Sequence, residues 1–546
     1  MDLIKEYALH STNAKPSALY DVPVSLGKWV IARSWMVLLV LPVSVLMMGC
    51  TREPKATSLE TLISETRSSI VEAMAAHKLP GVAIVIVDRE NILWQECFGV
   101  TDLDTGSPVT PQTTFSIQSS SKNFTAIAVM LAVQDDLLDL DTTITEYLPN
   151  FRVNSCFETS PEKKMTLRHL LNHTAGFTHE APVGNNFNAT SPSFDAHVAS
   201  ISETWLKFPV GDGYSYSNLG IDLAGYIVQT VSGVPFERFV KERILDPIGM
   251  HSSFVDTPSR NGNSDNCASG HTGAYSDLPD YIPIAASGGV RVSIEDGARF
   301  LQFHLNRGKT TVGQLLRSDL LDTMYARRSR DPKWGSTKGY SDWYGLGVYT
   351  WAEDDTYVLI HNGGGFGYSC SMRWYPEFGI GEMTLINRTD VGTPHWEFGA
   401  SFLKKMIQQH LVSKTEEASI RANSFFRNTP SDEKWTRAAR VQITPTPYRP
   451  EWKQYIGRYE ILWGGGFELA PGTDFSLDRV FERNGYLYHT IGGQQDYPGG
   501  QQTCRLAEHL PGLFFDEEFG EAMDFRGPIP TVHNIALRKV GTSRNK

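Results

Sequence analysis

Apolar residues recur at helical spacing between positions 57 and 77, where Leu59, Leu62, Ile63, Ile70 and Met74 form one stripe. This predicts an amphipathic helix capped by Thr57 or Ser58. Leu79-Pro80-Gly81 stops it. The β-branched run 82–87 reads as a strand, and 91–100 as its hairpin partner. From Asn123 to Leu131 the chain is apolar nearly all round, which predicts a central, buried helix. A loop-rich stretch spans 139–210, helices are predicted at 223–231 and 236–245, and an amphipathic helix at 294–306 follows Ser287-Gly288-Gly289. Strand patterns return at 344–350, 356–361, 369–375 and 380–387, and a helix over 396–411 closes the unit. Strands from both ends of one unit with helices between them predict an α+β fold, an antiparallel sheet flanked by helices.

The pattern changes after that unit. Residues 412–450 are polar and end in Thr444-Pro445-Thr446-Pro447, a linker. Beyond it, short strands alternate with Gly and Asn turns, as in Gly457-Arg458-Tyr459, Asn484-Gly485-Tyr486 and Leu513-Phe514-Phe515. Residues 451–546 therefore read as a small all-β domain, sandwich or barrel, with no catalytic constellation in it. The expected organisation is a leader (1–50), the α+β unit (57–411), the linker (412–450) and the β-domain (451–546).

The leader has its own pattern. Lys28 and Arg33 precede a continuous apolar stretch, 35–48, that ends in Gly49-Cys50. A basic region, a short apolar core and small terminal residues describe a secretory signal. The stretch is shorter than the ~20 residues of a membrane span. A cysteine directly after Gly49 resembles the lipobox of bacterial lipoproteins, although Met47 and Met48 depart from the usual residues there. The expectation is an exported protein of the bacterial periplasm or cell envelope, lipid-anchored at Cys50. An uncleaved anchor and cleavage without lipidation are the alternatives.

Composition narrows the function classes. The 546 residues carry a formal net charge of -11, which argues against nucleic acid or an anionic membrane surface as the main partner. Membrane association would run only through the lipid or N-terminal anchor. The cysteines other than Cys50, at 97, 156, 267, 370 and 504, are widely spaced and form no Cys-x-x-Cys pair. Neither a disulfide framework nor a zinc site is indicated.

Candidate chemistry starts at Ser119-Ser120-Ser121-Lys122, which opens the central helix. Positions i and i+3 share a helix face, so the Ser119 hydroxyl and the Lys122 amine can meet. A hydroxyl needs a base to become a nucleophile, and a desolvated lysine can be that base. The helix N-terminus adds a positive pole that favours developing negative charge. The spacing alone is a weak signal. Two further motifs fall on loop and strand positions: Tyr216-Ser217-Asn218, after Gly211-Asp212-Gly213, and His361-Asn362-Gly363-Gly364-Gly365 at the end of an apolar strand. Phe115-Ser116-Ile117 stands just before Ser119.

Together these motifs resemble the serine β-lactamase and penicillin-binding-protein superfamily. The resemblance is to its class C-like branch of D-aminopeptidases, family VIII-type esterases and other S12-type serine hydrolases. It covers about residues 57–410 and includes the stretches 167–176, 216–225 and 287–289. The trailing Tyr455-x-Gly457-x-Tyr459 region resembles the lipocalin-like β-domain that often follows. The resemblance implies an all-helical subdomain beside the sheet, Ser119 as nucleophile and Lys122 as the group that helps remove its proton. It implies Tyr216 as a general base that relays the proton, and Asn218 as a partner of Lys122 or of a substrate amide. His361 takes the place of a lysine and would contact substrate or Tyr216. The Ser119 and Gly364 N–H groups, with Gly363 beside them, would form an oxyanion hole, typically ~3–4 kcal/mol of transition-state stabilisation.

Gln118 departs from the Gly or Ala usual before the nucleophile. His169 and His173, with His179 near, have a spacing that suits a metal on a helix. Without a His-Glu-x-x-His pattern, and within a stretch that matches the family, no metal is expected. No Gly-x-Ser-x-Gly elbow and no phosphate-binding loop after a strand occurs, and no cofactor is implied. The expected function is a serine hydrolase acting through an acyl-enzyme on ester, amide or D-amino-acid peptide substrates. The alternative is a non-catalytic penicillin-binding-like protein that binds or senses cell-wall peptides or a partner. The oligomeric state stays open.

Overall fold

Ser58, not Thr57, caps the first helix: its hydroxyl accepts the Thr61 N–H, and Leu59–His77 runs until Lys78 turns left-handed at φ 53°. The computed structural model describes residues 58–185, 192–256, 266–272, 284–330, 342–353, 356–389, 397–415, 443–461, 478–491, 502–517, 520, 522–532 and 534–540. The leader with Cys50 and most of the polar linker lie outside the described residues.

The strand Gly81–Asp88 is buried on both faces, which explains its continuous apolar run. Val82, Ile84 and Ile86 pack with Leu62, Ile70, Phe402, Leu403 and Met406, so the first helix and Phe398–Gln408 cover one face of the sheet. Ala83, Val85 and Val87 point the other way, into the main core that holds the central helix. The main sheet has nine strands. Eight run in the order Ile92–Gly99, Gly81–Asp88, Ile380–Ile386, Tyr368–Tyr375, Thr356–Ile360, Tyr349–Glu353, Asp342–Tyr344 and Ser329–Arg330. All pairings are antiparallel, with Val85 opposite Met383 and Ala83 opposite Cys97. Gly363–Gly365 adds a short ninth strand against Tyr368–Tyr375.

The expected strand 344–350 is two strands. Gly347, at φ 70°, turns the chain between them, and a Cβ there would lie 2.6 Å from the Lys122 carbonyl oxygen. Only a glycine allows that approach. A three-stranded sheet of Thr114–Ser116, Val290–Ser293 and Phe254–Val255 was not foreseen from the pattern.

Beside the sheet stands a helical layer. Ser121–Gln134 is buried over its first twelve residues, and Phe124 stacks on Phe300 at 4.0 Å between ring centroids. Emptying such a site typically costs ~3–5 kcal/mol. Asn218–Ser232 packs beside it and ends at Gly233, whose φ of 66° suits a left-handed stop. The loop-rich stretch contains the short helices Leu167–Leu171 and Phe194–Ser200.

The C-terminal strands form a closed barrel of eight, from Gly457–Ile461 to Ile535–Val540. Trp452, Tyr459, Leu487, Leu506, Phe514 and Leu537 are buried together as its hydrophobic core. The barrel and the α+β body belong to one compact unit, residues 56–546. Trp205 of the body meets His509 and Phe515 of the barrel at 5.4 and 5.8 Å between centroids. Asn534 donates from Nδ2 to the Glu180 carbonyl at 2.8 Å and to Thr204 Oγ1 at 3.1 Å. Among the described residues, no helix is long and apolar enough to cross a membrane.

Candidate active site

Ser119 lies on a single 3-10 turn, Gln118–Ser120, and the α-helix proper begins only at Ser121. Lys122 is the second residue of that α-helix, and at a separation of only three positions the two side chains still meet on one face across the junction. Lys122 Nζ donates to Ser119 Oγ at 3.1 Å and to the Ser287 carbonyl at 2.9 Å. Lys122 has no solvent exposure, while Ser119 is partly open. An amine in this position can take the hydroxyl proton as the oxygen attacks.

Gln118 sits at φ 50°. A left-handed backbone favours glycine, which accounts for the departure at this position as a strained one. The Gln118 side chain folds back, donating from Nε2 to Ser116 Oγ at 2.8 Å. Ser120 is turned inward and donates to the His361 carbonyl at 2.8 Å, tying the turn to the glycine strand.

That strand lies against the turn. A Cβ on Gly363 would lie 2.0 Å from the Ile117 carbonyl oxygen and 3.0 Å from the Ser119 nitrogen. His361 N donates to Met372 O at 3.0 Å. With Gly363 opposite Cys370, the antiparallel alternation spends the N–H of Gly363 in the ladder and turns that of Gly364 away from it. Gly364 is exposed. An outward N–H on that strand, next to the first turn of the Ser119 helix, can hold an oxyanion.

Tyr216 is brought to the same place. Lys122 Nζ lies 4.9 Å from the Tyr216 ring centroid. His173 and His179 flank the ring at 4.5 and 5.6 Å between centroids.

Asn218 and His361 each have a side-chain partner within the fold. Asn218 donates from Nδ2 to Glu180 Oε1 at 3.1 Å rather than to Lys122, whose hydrogen bonds go to Ser119 and Ser287. The helix cap is Ser217, whose hydroxyl accepts the Gly220 N–H. His361 is buried, and its ring meets Tyr344 and the Asn362 carbonyl, each at 3.0 Å, rather than Tyr216. A carbonyl only accepts, so Nδ1 carries the proton and Nε2 accepts the Tyr344 hydroxyl. Burial, and then the charge of Lys122, push the His361 imidazolium down to about 3. The ring is neutral at pH 7, unlike the lysine usual at this place. Burial, and then the neighbouring Tyr216 and Tyr349, keep Tyr344 a neutral phenol by raising it well above the ordinary value.

His169 and His173, whose spacing alone would suit a metal, have hydrogen-bonding roles within the fold. His173 Nδ1 accepts the Ser217 N–H at 3.2 Å, and His169 closes a capping box with Thr166. Among the described residues, no group of three or more His, Cys, Asp or Glu is placed to hold a metal ion. The five described cysteines are free thiols. Sequence reasoning did not find two participants, the Ser287 carbonyl and Tyr344. Ser287-Gly288-Gly289 was visible as a motif, but a backbone acceptor leaves no residue-type signal.

Residues 66–397 match the family Beta-lactamase, and the chain belongs to that family. Among its relatives is the unguisins hydrolase ungD' of Aspergillus campestris, 23% identical over 350 residues and covering 62% of each chain. The esterase EstB of Burkholderia gladioli is 26% identical over 217 residues, 37% of this chain and 55% of that protein. The protein flp of Staphylococcus aureus is 24% identical over 239 residues, 42% of this chain and 46% of that one. The chain thus spans between 46% and 62% of the length of these relatives. The fold is shared with the octameric penicillin-binding protein homologue of Pyrococcus abyssi, at a TM-score of 0.53 and 20% identity, over 87% of this chain and 99% of that one. SurE with D-Leu superposes at a TM-score of 0.54 and 20% identity, over 88% of this chain and 100% of that one.

Proposed function

We propose that this protein is a serine hydrolase that forms an acyl-enzyme on Ser119 and acts on ester, amide or D-amino-acid peptide substrates. The observation that carries this reading is the 3.1 Å contact between a wholly buried Lys122 amine and the partly open Ser119 hydroxyl. Ser119 Oγ attacks the carbonyl carbon as Lys122 takes its proton, and the Ser119 and Gly364 N–H groups receive the oxyanion. The intermediate then collapses, breaking the C–O or C–N bond, and the leaving alcohol or amine departs with the proton returned from Lys122. Water later releases the acyl group. The neutral His361 supports esters and amides over β-lactams, since no permanent cation stands there to hold a substrate carboxylate. Relatives named as an esterase and a hydrolase support the same class.

The test is labelling by a fluorophosphonate and a fluorescent penicillin, wild type against Ser119→Ala, followed by a screen of short esters, D-amino-acid amides and nitrocefin. Labelling confined to Ser119 with ester or amide turnover is expected. Silence in every arm would leave a binding protein instead, and nitrocefin turnover matching that of esters would reverse the substrate preference. Export with a lipid on Cys50 is part of the proposal, and Cys50→Ser should abolish palmitate incorporation.

A further inference from the structure

The helix Asn218–Ser232, which follows Tyr216 directly, carries one fully buried carboxylate, Asp222. It is no part of the three motifs. Asp222 Oδ1 accepts the N–H of Ala286 at 3.1 Å and of Ser287 at 2.8 Å. Its Oδ2 accepts the Ser287 hydroxyl at 2.8 Å and His197 Nε2 at 3.2 Å. One side chain thus takes four donors, three of them from two consecutive residues.

His197 is buried as well. Its other nitrogen, Nδ1, faces the Val183 carbonyl at 2.8 Å. A carbonyl on one side and a carboxylate on the other favour a proton on each ring nitrogen. Burial by itself would lower this histidine, but the hydrogen bond and charge of Asp222 outweigh it, and the imidazolium is held above the ordinary value. A buried carboxylate without such a partner is costly.

The segment clamped by this pair is the one that meets Lys122. Ser287 turns its N–H and hydroxyl to Asp222 and its carbonyl to Lys122 Nζ. The neighbouring Ala286 carbonyl accepts Thr125 Oγ1 at 2.6 Å, and Val290 N donates to Ser121 Oγ at 3.0 Å, so the segment is pinned to the Ser119 helix on both sides. Gly225 lets it pack this close, for a Cβ there would lie 2.4 Å from that of Ala286. Among the described residues, the hydrogen-bond partners of Lys122 are the Ser119 hydroxyl and the Ser287 carbonyl, neither of them a carboxylate. Its aim is therefore set by where the Ser287 carbonyl stands.

We infer that Asp222, held by His197, is a positioning residue for the Ser119 chemistry: it fixes the Ser287 carbonyl, which directs the Lys122 amine onto the Ser119 hydroxyl. The inference rests on the acyl-transfer reading above. A lysine has four rotatable side-chain bonds, and a misplacement on the order of 1 Å at a reacting group can cost about a hundredfold in rate.

The test is the rate of fluorophosphonate labelling of Ser119 in the full chain. Asp222→Ala should slow it about ten- to a hundredfold, and Asp222→Asn, which keeps one acceptor oxygen, by less. In a Lys122→Ala background, Asp222→Ala should change the remaining rate by less than about twofold, because the amine it serves is gone. Equal slowing in both backgrounds, or none in the first, would overturn the inference, since a structural role does not depend on Lys122. If Asp222→Ala does not fold, Asp222→Asn carries the same comparison with the same criteria. If the wild type is not labelled at all, the acyl-transfer reading fails by itself, and a crystal structure of Asp222→Asn then decides positioning. Lys122 Nζ still on the Ser287 carbonyl would overturn it, and a displaced amine would support it.

Discussion

Replacing Gly363 by alanine places one methyl group where the fold leaves no room. Its Cβ would stand 2.0 Å from the Ile117 carbonyl oxygen, about 1.4 Å short of the 3.4 Å at which ordinary contact begins. The obstacle is backbone on both sides, so no flexible side chain can yield. Either the glycine strand or the turn bearing Ser119 must move, by on the order of 1 Å. Overpacking of this kind typically costs ~1–3 kcal/mol of stability, and the same displacement spoils the alignment of the Ser119 and Gly364 N–H groups. A hundredfold rate loss, ~2.7 kcal/mol of barrier, is expected. Gly364→Ala is the control, because a Cβ there meets nothing within 4 Å and the backbone N–H is retained. The assay is fluorophosphonate labelling together with hydrolysis of a short p-nitrophenyl ester, with thermal melting measured in parallel. Gly363→Ala should lose about a hundredfold and Gly364→Ala less than about threefold. Wild-type rates in Gly363→Ala, or equal losses in the two variants, would refute the placement of this strand beside Ser119.

Lys122→Ala should lower Ser119 labelling by about 10²–10⁴-fold while circular dichroism stays native; an unchanged rate would end its role as the base. Burial holds His304 at about 3, and burial with the Lys122 charge holds His361 there too. Burial likewise lowers His173 well below 6.5. Unfolded, these rings take protons near pH 6.5, so the unfolded state binds more protons below that value. Stability from them is complete above pH 6.5 and is lost as pH falls toward 3, at up to ~1.4 kcal/mol per pH unit for each ring. Urea unfolding at pH 7 and pH 5 should show this slope, and His361→Gln should reduce it by one ring's share; an unreduced slope would count against the neutral His361. Asn534→Ala removes two hydrogen bonds between barrel and body. A loss of about 1–2 kcal/mol and faster proteolysis at that junction are expected, and unchanged values would show the contact to be idle.

The elements were legible where local pattern and burial agree. The run 82–87 is buried on both faces and reads as continuous β-branched sequence. The first helix and the helix Ile294–Leu305 show one apolar stripe each. Legibility failed at 344–350, where the turn exists to let Gly347 pass the Lys122 backbone, a contact with a residue more than two hundred positions away. The short strands Thr114–Ser116 and Phe254–Val255 were missed for a related reason. Each is set by pairing with Val290–Ser293, not by its own periodicity.

At the site the division is sharper. The sequence by itself determined that Ser119 and Lys122 would meet, because three positions along one turn suffice for that. It also marked Tyr216, Gly363 and Gly364 through their motifs. Only the tertiary structure decided which group each polar atom would meet. Ser287, not Asn218, receives the lysine; Glu180 takes Asn218; Tyr344 takes His361; and Asp222 with His197 stands behind Ser287. Those pairings join residues far apart in the chain. A buried donor or acceptor must be satisfied by whatever packing places beside it, and that choice is made in three dimensions.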